Sequence, residues 1–156
     1  MHKLNLEPES TAWIDFQDCD PFGHLNNTKY LNYIMHARTQ QLKDAYGFDI
    51  YAHTQKTGNG WVVATTQLAY LAPAKFNETV RIQTRLLHKD AFRIVPEAVM
   101  KSEDGQRLHA VEVLPPLLRH RPRMRQVLFV EFLDERRVAA EEVRVVQELL
   151  HHGRIS

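Results

Sequence analysis

The chain has 156 residues, 44% hydrophobic and 25% charged, which fits one globular domain burying roughly 70% of its unfolded surface. That composition excludes a disordered, collagen-like or disulfide-built chain. Twenty Lys and Arg against nineteen Asp and Glu leave a formal charge of +1, which excludes nucleic-acid binding driven by bulk charge. The single cysteine, Cys19, has no partner for an internal disulfide, and the opening residues Met1 to Pro8 lack the apolar core of a signal peptide. A reducing, cytoplasmic location is expected. No apolar run approaches the ~18 residues of a membrane span, so no membrane insertion is expected.

Residues 10–17 alternate Ala12, Ile14 and Phe16 against Thr11, Trp13 and Asp15, the two-residue period of a strand. They run into Asp18-Cys19-Asp20-Pro21-Phe22-Gly23, where proline and glycine break regular structure and aspartate favours turns. From residue 27 to 46, Leu31, Ile34, Met35, Leu42, Ala45 and Tyr46 recur at helical spacings, with Asn26 or Asn27 as cap and Gly47 as left-handed stop. Tyr30, Tyr33 and Ala37 widen this apolar face, which predicts a central helix covered by other structure.

Strands follow over 61–70, 79–87 and 91–101, the last with Pro96 at an edge or a bulge. Asp104-Gly105 turns the chain into a strand over 107–114, which Pro115-Pro116 ends. Residues 114–126 read as a basic, proline-containing exposed connection, 126–133 as a further strand and 138–152 as a closing helix. The sum is a single α+β domain over 1–156, an antiparallel sheet that can curl around one long helix.

The loop before the helix carries the chemistry. Free N–H groups and the positive end of the dipole at a helix start suit a carbonyl oxygen that turns negative during acyl transfer. Asp20 beside such a site could attack a thioester or take a proton from water, and His24 could assist or orient. Asp and Asn in this place equally serve as caps and turn formers, so both readings stand at this point. Cys19 has no basic partner fixed beside it and reads as a small, half-buried residue. The nine histidines are scattered, with neither the i, i+4 spacing nor the Cys/His grouping of a zinc site, so no metal is expected.

The run Asp18-Cys19-Asp20-Pro21-Phe22-Gly23-His24-Leu25-Asn26-Asn27-Thr28-Lys29-Tyr30-Leu31 resembles the signature of hotdog-fold thioesterases. The likeness is to the 4-hydroxybenzoyl-CoA thioesterase-like and bacterial acyl-CoA thioesterases and to the plant acyl-ACP thioesterases, whose motif reads Asp, three residues, His-x-Asn-Asn-x-x-Tyr. It extends through Ala37-Arg38, and Gly60-Trp61-Val62-Val63 and Tyr70-Leu71-Ala72-Pro73 resemble the next strand and its end.

That resemblance implies hydrolysis of an acyl-CoA or acyl-ACP thioester without metal or cofactor. It also implies a homodimer or a dimer of dimers with sites between subunits. Asp20 falls on the catalytic carboxylate, His24 on the histidine of the plant enzymes, and Asn26 and Asn27 on the paired asparagines. Gly23 and the amides after it would be the oxyanion donors. Tyr30 and Trp61 would line or support the acyl tunnel. Arg119 and Arg121, alternating with Arg123 and Arg125, would share one face of an extended segment and could meet the phosphates of coenzyme A. No aromatic residue is interleaved in that cluster, so no nucleic acid is expected there.

This chain departs from the pattern at Phe22, where the plant enzymes carry asparagine, at Asn27, where some bacterial relatives carry histidine, and at Met35 and His36, where many are acidic. A non-catalytic acyl-binding protein on the same scaffold is the rival reading. A hydratase or dehydratase, which would leave the thioester intact, fits the motif less well.

Overall fold

The computed structural model describes residues 6–63, 66–89, 93–113 and 117–120. The first strand, β1 (Glu9–Trp13), stops earlier than the expected 10–17. Asp15 accepts the Gln17 amide at 2.9 Å and caps a single 3-10 turn, Phe16–Asp18, which takes the backbone off the sheet. Ile14 still points inward and is fully buried, whereas Phe16, expected on the same face, is 73% exposed.

Helix α1 (Asn27–Tyr46) has the expected bounds. The Asn26 side chain accepts the Thr28 amide at its start. Gly47, at a φ of +62°, ends it, its N–H and that of Phe48 satisfying the Lys43 and Leu42 carbonyls. The buried stripe is Tyr30, Ile34, Ala37 and Gln41, narrower than the face expected from the sequence: Met35 and Tyr46 lie at the surface. Gln41 is a polar residue in the core, fully used. It donates to Ser10 Oγ and to the Ile82 carbonyl, both at 2.8 Å, and accepts from Thr84 Oγ1.

A second helix, α2 (Ile50–Thr57), has no counterpart among the elements expected from the sequence. None of its residues is buried, so it leaves no apolar period to detect; its only signals are the Asp49 cap and the Gly58 stop.

The remaining strands are β2 (Gly60–Val62), β3 (Gln67–Tyr70), β4 (Thr79–Lys89), β5 (Arg93–Ser102), β6 (Leu108–Val113) and β7 (Leu117–His120). Five strands run antiparallel in the order β1-β4-β5-β6-β3, with β7 paired to both β5 and β2. Across this sheet Ile82 stands opposite Met100 and Met100 opposite Ala110, and these buried side chains meet Ile14 and Ile34 in one core. Each fully buried aliphatic side chain of this kind contributes about 1.5–3 kcal/mol.

Pro96 lies in β5 opposite Leu86, where the register with β4 shifts between Leu86 and His88. On its other side β5 pairs with β7 at Arg93 and Ile94 and with β6 from Glu97 onward, so the missing N–H falls where the strand changes partner.

The connection expected over 114–126 is corrected at Leu117–His120, which form β7. Gly60 faces His120 and Gln67 faces Val113, seven residues along on each side, so β6 and β7 continue one register with β3 and β2. Against β5, Glu97 faces Val113 and Arg93 faces Leu118, four residues against five. The expected strand 126–133 and helix 138–152 lie outside the described residues. No described helix is long and apolar enough to cross a membrane.

Candidate active site

The loop from Asp18 to Asn26 closes on itself. The Asp20 amide donates to the His24 carbonyl at 2.7 Å and the Gly23 amide to the Asp20 carbonyl at 3.0 Å. Asp20 Oδ1 accepts the amides of Phe22 at 2.9 Å and of His24 at 3.0 Å. This is an Asx-type closure, and Gly23, at a φ of +74°, supplies the left-handed residue it requires. A Cβ at Gly23 would meet nothing within 4 Å, so the backbone angle rather than space selects glycine.

The loop is also tied from below. Gly23 O accepts the Phe76 amide at 2.9 Å, Leu25 N–H donates to Ala74 O at 2.8 Å, and Asn26 N–H donates to Asp18 O at 2.9 Å. Asp18 is held by Lys29 Nζ at 2.9 Å and by the Tyr33 hydroxyl at 2.8 Å, and that hydroxyl in turn accepts the Asp15 amide. The Lys29 contact, then the Tyr33 hydroxyl, hold the Asp18 carboxyl below its ordinary value. Asp18 is thus a structural anchor. Sequence reasoning passes over its holders, Tyr33 and Lys29, as site residues; their i+3 and i−1 places around Tyr30 in the motif are the available signal.

These bonds commit the amides of residues 22 to 26, four of them inside the loop and that of Leu25 to Ala74. Of the amides expected as oxyanion donors, that of Gly23 is bound to the Asp20 carbonyl and that of His24 to the Asp20 carboxylate. Thr28 N–H goes to Asn26 Oδ1 and Lys29 N–H to Asn26 O. The Asn27 amide, at the first turn of α1, has no acceptor among the described residues. Asp20 is half-buried, and with Oδ1 engaged its Oδ2 is the oxygen with no bond to a described residue.

The other expected site residues separate. His24 is half-buried, and its backbone is bridged to Lys75. Asn26 is the helix cap, and Asn27 is exposed, its carbonyl accepting the Tyr70 hydroxyl at 2.8 Å. Tyr30 is 2% exposed; its hydroxyl accepts the Ala74 amide at 2.9 Å and its ring meets Tyr70 edge-on at 5.2 Å. It ties Ala74 and Tyr70 to the helix rather than facing solvent. Trp61 and Arg119 are opposite each other in the β2–β7 pair, and Arg121 lies outside the described residues.

Cys19 sits one residue before Asp20, with its thiol donating to the Asp15 carbonyl at 3.3 Å. Burial, then the charges of Asp20, Asp18 and Asp15, push the thiol up, away from the reactive thiolate. Among the described residues no three His, Cys, Asp or Glu side chains converge as a metal would need.

A family model described as the thioesterase-like superfamily matches residues 14–114. No protein of curated function matches the chain by sequence. Among solved structures, a probable thioesterase from Bartonella henselae is 18% identical, covering 74% of this chain and 93% of its own, with a TM-score of 0.66. A 1,4-dihydroxy-2-naphthoyl-CoA thioesterase from Synechocystis is 10% identical over 74% and 83%, with a TM-score of 0.67. A DHNA-CoA thioesterase from Staphylococcus aureus is 19% identical over 96% and 97%, with a TM-score of 0.66. At such identities the likeness is one of fold, and that fold is the hotdog: an antiparallel sheet with one long helix packed against it.

Proposed function

This chain belongs to the thioesterase-like superfamily, and on that premise we propose that it hydrolyses acyl-CoA thioesters to a free acid and a thiol. The observation that carries the reading is the division of labour at Asp20. One carboxylate oxygen is fixed by the Phe22 and His24 amides, the other is unengaged within the described residues, and the uncommitted Asn27 amide opens the 20-residue helix next along. The thioester carbonyl would take the Asn27 N–H, helped by the positive end of α1, as its oxygen gains charge. Asp20 Oδ2 would then attack the carbonyl carbon, expelling the thiolate and forming an anhydride that a water hydrolyses to the free acid and the restored carboxylate, or draw a proton from a water that attacks the carbonyl as the C–S bond breaks; in either route the water supplies the proton that the thiolate takes up. His24 orients the loop through its backbone.

Two neighbours of the same fold act, by their names, on dihydroxynaphthoyl-type CoA thioesters, which supports CoA as the carrier ahead of an acyl carrier protein. Arg119, paired with Trp61 on the short β2–β7 ladder, is the proposed phosphate contact, with Arg121 beyond it. The strand β3 ends the five-strand order with an edge unpaired among the described residues, which supports completion of the site by a second copy. The lone thiol fits a cytoplasmic setting.

The test is a panel of aliphatic and aromatic acyl-CoAs followed by release of free thiol, with mass photometry of the same sample. Thiol release from a dimer or tetramer is expected. Binding without release would replace hydrolysis by the acyl-binding reading, and a change in the acyl group with the thioester intact would indicate a hydratase.

A further inference from the structure

His109, on β6, is fully buried, and both of its ring nitrogens face oxygen. Nε2 lies 2.8 Å from Glu78 Oε1, and Nδ1 lies 3.2 Å from the Ala72 carbonyl oxygen. A neutral imidazole has one N–H and one bare lone pair. With Glu78 ionised, such a ring, itself closed to water, would set that lone pair against an oxygen lone pair. One additional proton held by the pair removes the conflict, since the ring then donates from both nitrogens. The second carboxylate oxygen of Glu78 accepts the Lys75 amide at 2.8 Å, which favours leaving the charge on the carboxylate.

The same two residues close both ends of the segment 71–78. The His109 carbonyl accepts the Leu71 amide at 2.9 Å and the Ala72 amide at 3.3 Å, while Glu78 O accepts the Ile14 amide at 2.9 Å. Between these ends lie the groups that carry the candidate loop: Ala74 O under Leu25, the Phe76 amide on Gly23, and the Ala74 amide on the Tyr30 hydroxyl. A residue at position 109 thus reaches Asp20 through one short strap.

We propose that the buried His109 and the half-buried Glu78 form an imidazolium–carboxylate clamp that positions segment 71–78, and through it the Asp20 loop, for thioester hydrolysis. The positioning role rests on the function proposed above; the protonation state does not. Both are positioning residues, since neither is placed against the reacting atoms. A buried ion pair is a poor source of net stability and a better means of fixing one geometry. The charged and titratable groups near the pair are the Tyr30 hydroxyl on α1, and Glu103, Asp104 and Arg107 around the groove that Glu78 borders; Lys75 on the strap meets Glu78 through its backbone amide.

Imidazole nitrogen spectra of the labelled wild-type protein at pH 7, with the His109 signals identified by their loss in His109→Gln, test the first half. Protons on both nitrogens are expected, and a single protonated nitrogen in Glu78→Gln. For the second half, amide exchange at Leu25, Ala74 and Phe76 should quicken about tenfold in Glu78→Gln with β4 and β5 unchanged, and kcat should fall by about tenfold at nearly constant KM. Glu78→Asp, which keeps the charge, should recover part of both. A singly protonated His109 in the wild type, or unaltered exchange in Glu78→Gln, overturns the clamp. Wild-type protein without hydrolysis overturns the proposed function instead, and the spectra and exchange still decide the clamp. Hydrolysis with an unchanged kcat in Glu78→Gln overturns the positioning role alone.

Discussion

The Asp20 carboxylate accepts the amide of His24 at 3.0 Å, so the residue proposed to react also fastens the loop that presents it. The two duties fall on different atoms, since Oδ1 takes both loop amides and Oδ2 takes neither. Substitutions can therefore separate them.

Asp20→Asn retains an Oδ1 acceptor for Phe22 and His24 and removes the negative charge. Thiol release should fall by at least about 100-fold while the melting temperature stays near that of the wild type. Asp20→Ala should lose the same activity and in addition about 1–3 kcal/mol of stability, because two loop amides lose their acceptor. Turnover of Asp20→Asn at the wild-type rate would end the assignment.

Cys19 offers a control for that assignment. Its thiol is half-buried, bonded to the Asp15 carbonyl and surrounded by three carboxylates that disfavour the thiolate. Reaction with a disulfide reagent at pH 8 should be slow relative to the denatured protein, and Cys19→Ala should hydrolyse thioesters like the wild type. A Cys19→Ala protein that folds but is inactive would move the nucleophile from Asp20 to its neighbour.

The Asp18 anchor predicts an acid limb of stability. Its carboxyl is held below the ordinary 3.8 by Lys29 and then Tyr33, so the folded state binds fewer protons than the unfolded chain as that range is entered. The stability it contributes is complete above 3.8 and is lost as pH falls through the depressed folded value. In denaturant titrations Asp18→Asn should be less stable than wild type at neutral pH, and the gap should close below about pH 4. Tyr33→Phe should cost about 1–2 kcal/mol at neutral pH. A gap independent of pH would exclude an ionised Asp18 as the anchor.

Arg38, on α1, and Glu112, on β6, form an ion pair of 2.5 Å between the helix and the sheet, with the Glu112 side chain fully buried. Burial pushes the Glu112 carboxyl up, and Arg38 opposes the shift. Arg38→Leu should destabilise by about 3–5 kcal/mol by stranding a buried charge, and Arg38→Leu/Glu112→Leu should recover most of it. Because the carboxyl is raised, Glu112 favours folding most below its ordinary 4.5 and less as pH rises through the folded value. The Arg38→Leu deficit should accordingly be smaller at pH 5 than at pH 7. Equal deficits at the two pH values, with no recovery in the double variant, would contradict this account.

Local chemistry makes part of this architecture legible along the chain. Asn26 and Gly47 mark the ends of α1 because a cap and a left-handed stop act within a few residues of sequence. The alternation of Val80, Ile82 and Thr84 with Arg81 and Gln83 marks β4, whose register with β5 shifts opposite Pro96. Helix α2 escapes notice, since an element that buries nothing writes no period into the sequence. Phe16 is expected inside and lies outside, because a side-chain cap at Asp15 overrides the alternation.

The sequence by itself determined the order of the main elements, the long helix, and the loop motif that points to Asp20, all of which depend on neighbours within a few residues. Only the tertiary structure decided which amides are left for a substrate. That depends on Oδ1 of Asp20 turning back onto Phe22 and His24, and on a strap some 50 residues later taking Leu25 and Gly23. It also decided that His109, unremarkable in sequence, stands between a carbonyl and a carboxylate. Hydrogen bonds between distant segments are fixed by how the sheet brings them together, and no spacing along the chain encodes that meeting.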